Sequence, residues 1–196
     1  MTYLNSFFAS FSLMTLMLFQ SCGDPYEEEE VILRSIGDAY HGGTIAYILN
    51  PDDAGYDVKQ QHGLIVALED QGGMDVLWWN EELGDVETKA LGSSIGDGFA
   101  NTELILSVQG EGDYAAKICA DYKVSATDEV YDDWFLPSKE ELFEIYENID
   151  LLGEFKTTYW SSTEADRNTG AWRQNLYNSA QNVSKKYEPF SVRPVR

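Results

Sequence analysis

The sequence predicts an α+β fold: mixed antiparallel strands drawn from both ends of the chain, with two or three helices between them. Three observations predict it. Short β-rich runs punctuated by glycine pairs occupy residues 39–79. A strong helix start follows in Asp133-Trp134-Phe135-Leu136-Pro137-Ser138-Lys139-Glu140-Glu141-Leu142. Four short aromatic and β-branched runs then fill residues 158–195.

In chain order, Ala39 to Leu49 reads as a hairpin, with Gly42-Gly43 as punctuation and Thr44-Ile45-Ala46-Tyr47-Ile48-Leu49 as strand. Pro51-Asp52-Asp53-Ala54-Gly55 is a turn, and His62 to Leu68 is a second, buried strand. Gln71-Gly72-Gly73 turns the chain into a third strand, Val76-Leu77-Trp78-Trp79. Residues 80–98 form an acidic, glycine-rich loop. Asn101 or Thr102 caps a helix through Leu104, Ile105, Leu106 and Val108, which Gly110-Glu111-Gly112 ends. Asp113 caps a second helix that runs through Cys119 to Tyr122. Ser138 starts the third. Glu141 completes a capping box, Pro137 keeps the preceding residue out of the α region, and Leu142, Ile145, Tyr146 and Ile149 recur on one apolar face.

The C-terminal runs are Thr158–Thr163, Gly170–Tyr177, Asn182–Tyr187 and Phe190–Val195. They read as an antiparallel meander, with Pro194 marking an edge strand or its end.

The charge excludes one class of partner. The 196 residues carry 13 Lys and Arg against 34 Asp and Glu, a net −21, which repels phosphate backbones. Nucleic acid is therefore not a partner. The balance reverses locally: within 157–196, Arg167, Arg173, Lys185, Lys186, Arg193 and Arg196 face only Glu164, Asp166 and Glu188. Either these cations pair with the acidic remainder, or they present a basic face to an anionic or polar ligand.

Residues 1–21 hold no charged side chain, and Leu13–Phe19 is an apolar core of signal-peptide length. Gln20-Ser21-Cys22-Gly23 resembles a bacterial lipobox. That resemblance implies a signal peptide over 1–21, a lipid on Cys22 that anchors the chain in a membrane, and a cell-envelope, outer-membrane lipoprotein. An ordinary cleaved signal is the alternative. Residues 22–34 then form an acidic tether with Glu27–Glu30 at its centre. This run resembles the export signal of surface-exposed lipoproteins. Residues 35–196 are left as a single domain.

Catalytic and metal motifs are sparse. There is no P-loop, no Gly-x-Gly-x-x-Gly and no Gly-x-Ser-x-Gly. His41 and His62 lack metal-ligand spacing, so neither a metal nor another cofactor is predicted. The loops bearing Asp52, Asp53 and Asp57, or Glu81, Glu82, Asp85 and Glu87, hold oxygen ligands suited to calcium without EF-hand spacing. With Cys22 lipidated, Cys119 has no disulfide partner and reads as a small buried hydrophobe. Among 34 carboxylates some pair falls at glycosidase spacing by chance, so a polysaccharide or peptidoglycan hydrolase is only an alternative, and no enzyme is predicted.

Aromatics are the stronger sign. Trp160, Trp172, Tyr177 and Tyr187 lie among amides, a mixture suited to stacking on sugar rings and bonding their hydroxyls. Strand alternation sets Arg173, Asn175 and Tyr177 on one face, and Trp172, Gln174 and Leu176 on another that looks like core. The predicted ligand site is therefore Arg173, Asn175 and Tyr177, with Lys185 from the next strand. Replacing Arg173 and Tyr177 by Ala should then abolish binding.

Several segments, in order, resemble the C-terminal domain of the bacterial collagen-like adhesin Lcl: Ile36-Gly37-Asp38 with Gly42-Gly43, His62-Gly63-Leu64, Ile95-Gly96 with Asn101-Thr102, Ala115-Ala116 with Cys119, Asp133–Ser138 with Glu141-Leu142, Tyr159–Thr163, Ala171-Trp172, and Val192–Arg196. The resemblance implies a C-type-lectin-like fold and a surface binding module for a glycan or a surface protein, with adhesion as its role. The family's association with glycosaminoglycans fits poorly with a charge of −21. The calcium-lectin triplets are absent, Trp79-Asn80-Glu81 being the nearest approach. A scaffold piece of an envelope complex is the remaining alternative.

Overall fold

A computed structural model describes residues 33–165 and 169–196, apart from the Met74 side chain. The signal segment, Cys22, the acidic run Glu27–Glu30 and Arg167 lie outside the described residues.

The architecture is mixed α+β, with three helices and largely antiparallel sheets. Near the N-terminus, β1 (Ala39–Tyr40), β2 (Gly43–Ile48) and β3 (Gly63–Ala67) pair in that order. Gly43 lies too close to β3 for a side chain, since a Cβ there would strike the Val66 carbonyl. The next strand, β4 (Gln71–Val76), takes in Gly72-Gly73 and ends before Trp78 and Trp79. The turn expected at Gln71–Gly73 and the strand expected at Val76–Trp79 are thus displaced by a few residues. Burial explains it: Trp78 leaves the ladder to sit fully inside the core, its indole N–H donating to the Ser161 carbonyl at 2.8 Å.

Helix α1 spans Asp97–Gln109. It begins earlier than Asn101 or Thr102, which are not caps but buried polar residues inside it. Asn101 bonds the Gly92 backbone through both amide atoms, and the Thr102 hydroxyl accepts from the Leu136 N–H at 3.0 Å. Gly96, at φ 92°, takes the left-handed cap position instead. Helix α2 (Ala115–Asp121) has Tyr114 at its N-cap with no side-chain cap, so Asp113 does not play that part. A short ribbon, β5 (Val124–Ala126) and β6 (Glu129–Tyr131), follows α2.

Helix α3 (Lys139–Glu147) begins as expected, with both arms of the Ser138–Glu141 capping box formed. The stretch before it joins distant parts of the chain. Phe135 exchanges backbone bonds with Val195, and the Pro137 carbonyl accepts from the Ser162 N–H at 2.8 Å. Gly98 must lack a side chain, because a Cβ there would fall on the Glu141 carboxylate.

Only three of the four C-terminal strands form a meander. β7 (Thr158–Glu164), β8 (Gly170–Asn175) and β9 (Gln181–Lys185) follow one another, but β10 (Phe190–Val192) crosses back. It lies between β4 and β7, parallel to β7, giving the order β4-β10-β7-β8-β9. Pro194 is therefore not in an edge strand. The ladder stops at Val192, and Pro194 offers only its carbonyl, to the Ala67 N–H. The two terminal regions meet here, with Val195 bridging Val66.

Alternation along β7 and β8 feeds two cores. Trp160 and Ala171 join Trp78, Ile105 and Cys119, while Tyr159 and Leu176 join Leu142, Ile145 and residues of β2 and β3.

Candidate functional site

An open cleft of about 700 Å³ lies where β7, β8 and β9 meet the N-terminus of α3 and the loop before α1. Trp172 is half-buried in its wall. Trp172 pairs with Val183 and Gly170 with Lys185, so Trp172, Val183 and Lys185 share one face of the ladder. Val183 is 49% exposed, an apolar strand residue that this opening accounts for.

Lys139 closes the cleft from above. Its ammonium lies 4.8 Å from the Trp172 ring centroid and 3.1 Å from the Glu140 carboxylate. Its backbone is held on both sides: the N–H donates to Thr163 Oγ1 at 3.0 Å, and the carbonyl accepts from Gln181 Nε2 at 2.9 Å. The loop wall is tied to the same helix start, where Glu140 N–H donates to the Ser93 carbonyl and Ser138 Oγ to the Ser94 carbonyl. Glu141 anchors that junction. Burial pushes its carboxyl above the ordinary range, while N–H groups of Ser138, Gly96 and Gly98 pull the other way.

In the cleft wall, Glu164 forms a buried ion pair with Lys186. Glu164 also accepts from the Thr88 N–H, the Thr88 hydroxyl and the Lys89 N–H. These donors saturate the carboxylate and staple residues 86–90 to the sheet. The carboxyls whose pKa burial raises, Glu141 and Glu144, do not line the cleft.

The four predicted ligand residues do not converge. Arg173 is half-buried on the opposite face of β8 from Trp172, donating to Ser184 Oγ at 2.8 Å and lying over the Phe190 ring. Asn175 is occupied by a turn, its side-chain Oδ1 accepting from the N–H groups of Tyr177 and Asn178. Tyr177 is 86% exposed in that turn. The five residue-to-residue steps from Gly170 to Asn175 set it roughly 17 Å beyond the Lys185 end of the ladder. Lys185 alone lines the cleft, donating to Thr169 Oγ1 at 2.8 Å. Conversely Trp172, read as core beside Gln174 and Leu176, is the aromatic wall. Gln174 and Leu176 are buried, Leu176 in the cluster with Leu142 and Ile145 of α3, whereas Trp172 is only half-buried in the cleft wall.

The sequence reading missed Lys139 and Ser93, which reach the cleft from other elements. One signal for Lys139 was present: the residue after an N-cap has its backbone fixed by the helix while its side chain stays free.

Of the other expected cations, Lys186 pairs with Glu164, Arg193 with Asp70 and Arg196 with Asp133. Among the described residues, no group of three or more His, Cys, Asp or Glu side chains is placed to hold a metal ion. Asp53, from the first acidic loop, instead accepts from the Tyr47 hydroxyl and the Asn50 N–H. Cys119 is fully buried and burial raises its thiol pKa, so it is not a reactive nucleophile.

A comparison with protein-family models finds no matching family, and a comparison with curated proteins finds no matching relative.

Proposed function

We propose that this chain is an envelope lipoprotein, anchored through Cys22, whose domain over 35–196 is a C-type-lectin-like binding module of the Lcl C-terminal type. Its ligand is a glycan, taken in the Trp172 cleft, and its role is adhesion or recognition. The observation that carries the reading is the half-buried Trp172 indole in an open cleft whose walls also bear Ser93, Thr169, Lys139 and Lys185. A large apolar ring among hydroxyl and ammonium donors suits a pyranose, which presents one apolar face and a rim of hydroxyls. Two further features support the fold assignment. The terminal strands meet at Val66 and Val195, and the Asp133–Ser138 stretch joins both ends of the chain to a helix start.

A hydrolase reading loses ground, because Glu164 is committed to four donor groups. A protein-binding reading has one observation in its favour: α1 exposes Phe99, Leu104 and Val108 while burying Asn101, Thr102 and Gln109. Glycan-array binding by the full chain, lost in Trp172→Ala, is the expected result. Array silence with co-purification of a protein partner would favour the second reading. For the anchor, Cys22→Ala should release the chain from membrane fractions; wild type already free of membranes would refute it.

A further inference from the structure

Resting on the glycan reading above, we propose that the cleft selects a carboxylated pyranose, a uronic or sialic acid type of sugar, over its neutral counterpart. The ring face of Trp172 is not bare. The Lys139 ammonium lies 4.8 Å from its centroid. A neutral sugar that stacks there must push this cation aside and forfeit its attraction to the ring. A sugar bearing a carboxylate compensates, because the displaced ammonium can follow the carboxylate into a charge-assisted hydrogen bond. The Lys139 backbone is bonded on both sides, so the ammonium moves only within the reach of its side chain from a fixed point at the cleft.

Lys185 supplies a second cation at the right spacing. It stands two residues from Val183, the cross-strand partner of Trp172, on the same face. Such diagonal neighbours lie about 7 Å apart, close to the span of one sugar ring. Its present partner is the neutral Thr169 hydroxyl, to which it donates at 2.8 Å.

Glu188 on the cleft wall and Glu140 beside Lys139 set an upper limit on the ligand's charge. With a net −21 on the whole chain, densely sulfated polymers are repelled at long range. Sugars carrying one carboxylate each meet two ammonium groups at short range, where the local pair outweighs the screened remainder.

The test titrates the full chain with trigalacturonate, oligomannuronate and 3′-sialyllactose, each beside its own methyl ester, which keeps the rings and removes the charge. Heparin is included as the dense polyanion. At least one acid should bind about tenfold tighter than its ester, the scale of one charge-assisted hydrogen bond. Lys139→Gln and Lys185→Gln should each shrink that ratio towards unity with the melting temperature unchanged. Glu188→Gln should enlarge it. Esters that bind as tightly as acids, with Trp172 still required, would overturn this inference and leave the glycan reading standing. Failure of every acid and ester to bind would remove both. Heparin binding tighter than any single-carboxylate sugar would overturn the charge-density argument and the inference with it.

Discussion

The molecule contains two versions of the same triad, lysine over tryptophan beside glutamate, and they do different things. Lys186 lies 4.8 Å from the Trp78 ring centroid and pairs with Glu164; Lys139 lies 4.8 Å from Trp172 and pairs with Glu140. The first set is closed off: Lys186 and Trp78 are both 0% exposed, and Glu164 is buried with them. The second opens onto a cleft. In the closed set water cannot replace a lost partner, so each charge must be fully compensated inside the protein. In the open set water can, which leaves the ammonium and the ring free to exchange partners with water. Access to water, not the choice of residues, separates the closed triad from the open one.

The strongest way to break that contrast is to remove each lysine in turn. Lys186→Met strands a buried carboxylate and should cost about 3–5 kcal/mol in urea unfolding. Lys139→Met should cost less than about 1 kcal/mol. Equal losses would show that the two triads are not different in kind.

The two strand tryptophans sharpen it next. Trp160→Ala empties a core site and should cost about 3–5 kcal/mol. Trp172→Ala should cost clearly less, yet be the variant that loses ligand in a titration. Binding that survives Trp172→Ala would move the site elsewhere.

The pH dependence separates two carboxyls of opposite sign. Burial raises Glu141 above its ordinary 4.5, so its contribution to stability is present below that value and is lost as pH rises through the raised folded pKa. The stability of wild type relative to Glu141→Gln should therefore decline with rising pH over that window and then level off. Asp133 runs the other way. Its bond to Arg196 lowers it below 3.8, so its contribution is present above that value and is lost as pH falls through the folded pKa. Asp133 is largely exposed, so Asp133→Asn should cost less than about 1 kcal/mol at neutral pH, and nothing in strong acid. A Glu141 difference curve that rises with pH would contradict the burial argument.

The smallest effect belongs to Tyr177. Tyr177→Ala should change stability by less than about 0.5 kcal/mol, as for other exposed positions, and leave glycan binding intact. Loss of binding there would restore the turn after β8 as part of the site.

Much of the fold was legible in the chain, and the reason is local. The Ser138–Glu141 box, the paired glycines and the alternating C-terminal runs act through neighbours a few residues away, so spacing alone exposes them. Helix α1 defeated the same logic. Its buried face carries Asn101, Thr102 and Gln109, whose partners Gly92, Leu136 and Asn80 are remote in sequence or unmarked by any pattern. The return of β10 to the far side of β7 was equally invisible, because strand pairing depends on which edges the rest of the fold leaves open.

By itself, then, the sequence determined an α+β chain with two or three helices, a helix start at Ser138, the face on which each residue of β8 lies, and a net charge of −21. Tertiary structure decided which of those faces would meet water. Alternation separates Trp172 from Arg173, but only the surrounding elements leave Trp172 half-open in the cleft wall, while Phe190 and Ser184 occupy Arg173. It likewise made Lys185 a cleft residue and its neighbour Lys186 a buried one. The physical reason is that exposure is not a property of a residue or its strand. It is set by what packs against that strand from elsewhere in the chain.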